Sequence, residues 1–285
     1  MGACTSCEDK ELVAPASMGD LQGVKDALRC HAPIDRREGD SGLSALIAAA
    51  SHRQLAVVQH LLRARANVNL QDCEGRTALI AAASRTENLD VVKCLVEEGA
   101  AKCNLADGER CTALMFAARE HQADVVKCLL KHSADANLKN SAGTTALIMA
   151  VNGATEVPYS SKHRDDRRSF VETMRHLINS DHFNINATND QGCTALLVAC
   201  CRQHNEAVKY LISQGADVDI QSEDGRTALI CAVYRNNASL VKFLVEVAGA
   251  DPFLQDATGM TARDRAEQAQ NDTIATYLKK KMAER

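Results

Sequence analysis

The sequence predicts an all-α repeat solenoid: a stack of about eight helix-turn-helix units with β-hairpin-type tips. Two observations carry this. A Thr or Ser opening an alanine-rich apolar phrase recurs at Ser44, Thr77, Thr112, Thr145, Thr194, Thr227 and Thr261, at gaps of 33, 35, 33, 49, 33 and 34 residues. A near-constant period in this range marks stacked supersecondary units that bury their faces against each other. Aromatic residues make up only 3% of the 285 residues and Trp is absent, while apolar residues reach 46%. The core is therefore expected to consist of thin, closely packed Ala and Leu helices rather than clusters of large rings.

The elements follow in order. The first unit, "LVAPASMGDLQGVKDALRCHAPID" (12–35), lacks the Thr and acts as the N-terminal cap. In "GRTALIAAA" (75–83), "CTALMFAA" (111–118) and "GRTALICAV" (225–233) the Thr offers a side-chain oxygen as helix N-cap. The Ala run then lets first helices of neighbouring units approach closely. Second helices such as "DVVKCLL" (124–130) supply Val, Leu and Ile to the layer behind. Gly42, Gly75, Gly143, Gly192, Gly225 and Gly259 precede the caps by two residues, where a tight turn calls for positive φ. Arg110 stands at that place in the fourth unit and predicts an irregular turn there. The 49-residue gap exceeds the period by 16, and "GATEVPYSSKHRDDRR" (153–168) accounts for the excess as a loop inserted between the helices of the fifth unit. It reads either as a plain surface loop or as a regulated segment using Tyr159, Ser160, Ser161 or Ser169. The last unit, "GMTARDRAEQAQNDTIATYLKKK" (259–281), is the more polar, as a cap with one wet face must be.

These phrases resemble the ankyrin-repeat family, and the resemblance covers nearly everything from Glu11 to the C-terminus. Two departures stand out. The family's Pro after the Thr is Ala in every full copy. Its His three residues after the Thr is replaced by Ile47, Ile80, Met115, Ile148, Leu197 and Ile230. An apolar contact therefore stands in for the family's Thr–His hydrogen bond.

The resemblance implies a non-enzymatic protein-binding adaptor or scaffold, monomeric, with its partner lying across the hairpin tips and the exposed positions of the first helices. Carried over by register, the tips contribute Asp40, Ser41, Cys73, Glu74, Glu109, Ser141, Asp190, Gln191, Glu223 and Asp224. The residues before the caps add Leu43, Arg76, Cys111, Cys193 and Arg226, and the helix ends add His52, Arg85, Arg119, Glu120, Asn152, Arg202, Tyr234 and Arg235. The helix row is mostly basic and the tips mostly acidic, which predicts an acidic partner segment contacting Arg85, Arg119, Arg202 and Arg235. Tyr234 beside Arg235 is the expected anchor, since Tyr and Arg are enriched in interface hot spots. A net charge of −4 favours no nucleic acid.

No G-x-S-x-G, P-loop, H-E-x-x-H or G-x-G-x-x-G occurs, so neither an enzyme nor a cofactor is expected. Cys128 with His132, and Cys200 with His204, lie one helical turn apart, but two ligands fall short of the three or four that zinc needs. Of the 12 cysteines, Cys94 and Cys128 occupy the same place in successive copies. Helices stacked roughly 8–10 Å apart exceed the roughly 7 Å Cα limit for a disulfide, so reduced, mostly buried thiols are expected.

Residues 1–10 read as an acylated membrane anchor and 11–285 as the array. "MGACTSC" places Gly2 in the M-G-x-x-x-[ST] pattern for myristoylation, with Ser6 completing it. One myristoyl chain binds membranes only marginally, and Glu8 and Asp9 deny the segment a basic patch. Palmitate on Cys4 and Cys7 is then the expected second anchor. Lys279, Lys280 and Lys281 instead favour the negative end of the last helix. The longest apolar run, "ALIAAA" (45–50), is far below the 18 or more residues of a spanning helix, and no secretory signal pattern occurs. The expected location is the cytoplasmic side of a membrane. Without acylation, the same face would suit a soluble inhibitor or sequestering subunit in the cytoplasm.

Overall fold

The computed structural model of the chain describes residues 11–153 and 164–284. Gly2, Cys4 and Cys7, and likewise Tyr159, Ser160 and Ser161, lie outside the described residues. The chain divides into two compact units, one ending at Ser141 and the other starting at Ala142.

The first unit carries four helix pairs: α1 (Val13–Met18) and α2 (Leu21–Arg29), α3 (Ala45–Ser51) and α4 (Leu55–Arg63), α5 (Ala78–Ala83) and α6 (Leu89–Lys93), and α7 (Ala113–Arg119) and α8 (Ala123–Lys131). Helices α1, α3, α5 and α7 pack in one row, and α2, α4, α6 and α8 in a second layer. The second unit carries α9 (Ala146–Gly153), α10 (Arg164–Ile178), α11 (Ala195–Cys201), α12 (Asn205–Ser213), α13 (Ala228–Tyr234), α14 (Ala238–Glu246), α15 (Ala262–Gln268) and α16 (Asp272–Glu284). Here α9, α11, α13 and α15 form the inner row. Each unit is thus an all-α repeat solenoid with hairpin-type tips, as expected.

The inner row is dry because its helices are nearly all Ala with Leu or Ile. Ala45 to Ala50 are all at most 2% exposed, and Ala78 to Ala83 at most 7%. Small side chains let backbones approach, and each fully buried Leu or Ile adds roughly 1.5–3 kcal/mol. Ile47, Ile80, Met115, Ile148, Leu197 and Ile230, at the family's His position, are all at most 2% exposed.

Ser44, Thr77, Thr145, Thr194, Thr227 and Thr261 accept a hydrogen bond from the N–H three residues on, at 3.2–3.4 Å. Thr112 is the exception to the expected capping. The Met115 N–H turns to the Thr112 carbonyl at 3.1 Å, and the buried Thr112 Oγ1 has no partner.

The tips repeat a device that the repeat spacing does not reveal. Five residues before four of the caps, Asp72, Asp107, Asn189 and Asp256 accept N–H groups two and four residues on, which closes the hairpin from within. Consecutive tips are then joined by backbone bonds. In the first unit these are Cys73 N–H to Ser41, Gly108 N–H to Glu74 and Ser141 N–H to Glu109; in the second, Asp190 N–H to Ala142, Glu223 N–H to Gln191 and Ala257 N–H to Asp224. Gly75 (φ +77°) and Gly225 (φ +70°) are required twice over, because a Cβ there would also lie 2.8 Å or less from the next tip's backbone nitrogen. The fourth tip is regular, against expectation. Arg110 adopts the same left-handed conformation (φ 59°), and its N–H closes the turn on the Asp107 carbonyl at 2.9 Å. The fixed hydrogen bonds around Asp107 impose the conformation that glycine would adopt freely.

Side-chain amides staple the first unit's inner row. Gln54 donates to the Ser17 carbonyl, Asn88 to those of Ala50 and Ala82, and Gln122 to that of Ala83, so each inter-helix turn holds the end of the preceding inner helix.

After the first repeat, length variation falls in the helical part; in the first, Ala32 closes α2 and the next cap, Ser44, lies 12 residues on (44 − 32). A buried Ala closes the second helix at Ala66, Ala101, Ala134, Ala216 and Ala250, and the next cap lies 11 residues further on each time (77 − 66, 112 − 101, 145 − 134, 227 − 216, 261 − 250). The two surplus residues of the 35-residue gap lie elsewhere. One extends the turn before Asn88. The other widens the helix after α6 into a π-turn over Cys94–Glu98, so that the Ala101 N–H reaches back six residues to Leu95 where Ala134 reaches back five to Leu129. In the fifth repeat the span 153–168 expected as a loop is partly helical, since α10 starts at Arg164. The good helix propensity of Arg extends a helix already anchored by Met174 and Leu177, both 0% exposed.

Candidate partner-binding face

In the second unit, the tips and the inner helices enclose a cleft of about 500 Å³. Asn189, Gln191, Cys193, Ser222, Glu223, Asp224 and Arg226 line it from the tips, and Asn152, Leu197, Val198, Cys201, Arg202 and Cys231 from the helices and their ends. Ser222 is positioned by its own hydroxyl, which accepts from the Arg226 N–H at 3.1 Å.

Tyr234 ends α13 and is 47% exposed. Two guanidinium groups lie over its ring, Arg226 at 5.0 Å and Arg265 at 5.5 Å from the centroid. Arg265 is fixed from below by Asp256, whose side chain is 3% exposed, through an ion pair of 2.6 Å. Burial raises the Asp256 carboxyl, but hydrogen bonds from Thr258 and Arg265 and from the Thr258 and Met260 N–H groups outweigh it and hold the pKa at about 2. The ring is thereby pinned by a cation that is itself pinned. Arg226 is looser, with Asp224 at 3.8 Å between exposed side chains. Such an exposed pair contributes at most about 1 kcal/mol. Arg202 and Arg235 are exposed and make no ion pair among the described residues.

The predicted residues of the first unit fall into three groups. Arg76 bonds both Asp72 (2.9 Å) and Glu74 (3.1 Å), so Glu74 and Arg76 largely neutralise each other. Arg119 lies 5.1 Å from the Phe116 ring centroid and pairs with Glu120 at 2.9 Å. Arg85 is exposed and makes no ion pair among the described residues. Cys111, expected at the surface, is buried at 7% because the Asp107 turn folds it inward.

Of the ten described cysteines, Cys94, Cys103, Cys111, Cys128, Cys200 and Cys231 are buried, Cys30, Cys193 and Cys201 are half-buried, and Cys73 is exposed. All are free. Burial pushes up the thiols of Cys103, Cys111, Cys128, Cys193 and Cys200, and that of Cys94 to about 11. Cys201 behaves differently, because its sulfur is 3.0 Å from that of Cys231. The expectation that stacking keeps thiols of neighbouring repeats apart fails for this pair. Cys201 lies seven residues after its cap and Cys231 four after its own, so the two side chains meet across the seam. His132 Nδ1 lies 2.9 Å from its own helix's Cys128 carbonyl.

The family model for ankyrin repeats (three copies) matches the chain over residues 12–107, 87–157, 167–256 and 205–284. No match is found among curated proteins.

Proposed function

Since the chain belongs to the ankyrin-repeat family, we propose that it is a non-enzymatic protein-binding adaptor whose second unit receives an acidic segment of a protein partner. The observation that carries this reading is the grouping around Tyr234. A half-exposed ring is held by Arg226 and Arg265, next to a cleft edged by Arg202. Aromatic and Arg side chains that are already ordered lose little entropy on binding, and Arg presents a fork that fits a carboxylate. Glu223 and Asp224 on the tip side set the orientation, since an acidic segment would be repelled there and drawn toward the helix ends. Arg85 and Arg119 offer the first unit's counterparts, Arg119 with its charge shared with Glu120.

Membrane tethering is part of the same reading. Gly2 carries myristate, with palmitate on Cys4 and Cys7 as the second anchor, and the support is the pattern "MGACTSC" itself. Intact-mass spectrometry of the protein from its native cell tests this. The acyl masses should be present and should vanish in Gly2→Ala; their absence would leave an unanchored binder.

The face is tested by the Arg202→Glu, Arg235→Glu double variant. Affinity capture from native cells should recover the partner at least about tenfold less well, a loss of about 1.4 kcal/mol. Unfolding free energy should change by less than about 0.5 kcal/mol per site, because both positions are exposed. Undiminished capture would place the partner elsewhere.

A further inference from the structure

The cleft has a chemical feature that binding does not use. Cys201, at the end of α11, and Cys231, in α13, both line it, with their sulfurs 3.0 Å apart. Cys201 is half-buried and reachable from the cleft, whereas Cys231 is 4% exposed behind it. Helices α11 and α13 are direct neighbours, with Cα atoms within 8 Å of each other across the seam. A disulfide needs sulfurs at about 2.05 Å and Cα atoms within roughly 7 Å. To reach bonding distance the two sulfurs must close by about 1 Å.

The two thiols are also unequal. The hydrogen bond with Cys231 favours the Cys201 thiolate, and the guanidinium groups of Arg235, Arg226 and Arg202 add to it, outweighing burial, so Cys201 ionises below the ordinary thiol range. The same bond, with burial, holds Cys231 protonated. The charged groups facing Cys201 are these three cations and, on the tip side of the cleft, Glu223 and Asp224. The pair therefore has an accessible attacking sulfur and a buried resolving one.

We propose that Cys201 and Cys231 form a redox-active dithiol at the floor of the cleft, which a hydroperoxide converts to a disulfide joining α11 to α13. The Cys201 thiolate attacks the terminal peroxide oxygen; the S–O bond forms, the O–O bond breaks, and the departing alkoxide takes a proton to become an alcohol. Cys201 is then a sulfenic acid. The Cys231 sulfur attacks it, the S–S bond forms and the S–O bond breaks, and the thiol proton leaves with the hydroxide as water. Two thiols and one hydroperoxide yield one disulfide, one alcohol (water, when the oxidant is hydrogen peroxide) and one water. The sulfur pair loses the two electrons that the peroxide bond gains.

The test uses the full-length reduced protein, one equivalent of hydrogen peroxide at pH 7, alkylation with N-ethylmaleimide, and fragmentation mass spectrometry. Before alkylation the expected product is about 2 Da lighter than the reduced protein; after alkylation in denaturant it carries two fewer adducts and links Cys201 to Cys231 within one chain, and dithiothreitol reverses it. Cys231→Ala should stop at a Cys201 sulfenic acid trapped by dimedone. Cys201→Ser should slow peroxide consumption at least about tenfold, since the resolving thiol is protonated. Cys193→Ser, which removes the cleft's third thiol, should change nothing. Circular dichroism checks that each variant is folded. A link from Cys201 to Cys193, a link between chains, or full alkylation of both thiols after peroxide would overturn the proposal.

Discussion

Glu38 accepts the Leu12 N–H at 2.8 Å with one carboxylate oxygen and the Val13 N–H at 3.1 Å with the other. The first helix α1 has Leu12 at its N-cap, which cannot cap with its side chain, so a residue 26 positions later does it. An anionic cap at a helix N-terminus is worth about 1 kcal/mol. Glu38→Ala should lower the unfolding free energy by about that much and speed amide exchange at Leu12 and Val13. Unchanged exchange there would show that the carboxylate is not the cap.

Acid should weaken the last tip. Asp256 has its folded pKa at about 2, against about 3.9 for an unfolded Asp. A depressed pKa means stability that is complete above the unfolded value and is lost as pH falls through the folded one. The contribution of about 2 kcal/mol should therefore disappear between about pH 4 and pH 2. Urea midpoints of wild type and Asp256→Asn should differ at pH 6 and converge toward pH 2. A constant gap would exclude this carboxylate as the source.

Two equivalent caps should respond oppositely to one substitution. Thr77 Oγ1 accepts the Ile80 N–H at 3.2 Å, whereas Thr112 Oγ1 is buried without a partner. Removing a used cap costs about 1 kcal/mol; removing an unsatisfied buried hydroxyl is neutral or favourable. Thr77→Val should destabilise by about 1 kcal/mol, and Thr112→Val should be neutral or stabilising in the same denaturation experiment. Equal losses would contradict the difference in capping.

Arg110 holds a left-handed backbone at φ 59°. That conformation strains a residue with a Cβ by roughly 1–2 kcal/mol, partly offset by glycine's greater freedom when unfolded. Arg110→Gly should raise stability by about 0.5–1 kcal/mol. A loss would mean that the Arg side chain contributes more than its backbone costs.

What was legible in the sequence was local chemistry: the Thr caps, the Ala runs and the turn glycines each act within a few residues of themselves. What was not legible joins different repeats. Asn88 reaching Ala50, Gln122 reaching Ala83, and Cys201 meeting Cys231 depend on the seam between helices, which a one-dimensional period does not specify. The tip carboxylates were in principle readable, because Asp72, Asp107 and Asp256 stand five residues before their caps; their variation to Asn189 and Ser222 hid the pattern. Among the candidate site residues, register placed Asp224, Arg226 and Tyr234 correctly at the surface. It could not foresee that Arg76 and Arg119 spend their charge on neighbouring carboxylates.

The 11-residue stretch from closing Ala to next cap, which recurs after the first repeat, bears on how such a chain can change over evolutionary time. Insertions that enter the helical hairpin, as the π-turn residue and the long addition of the fifth repeat do, leave every following tip in phase with its predecessor. The first tip holds one extra residue there: the Glu38 N–H closes on Leu43, five positions on, where that of Asp72 closes on Arg76, four on, and the Ser41 carbonyl still meets the Cys73 N–H at 3.0 Å. The larger length changes thus fall in the helical hairpin, and a recognition surface can be kept while the protein behind it grows.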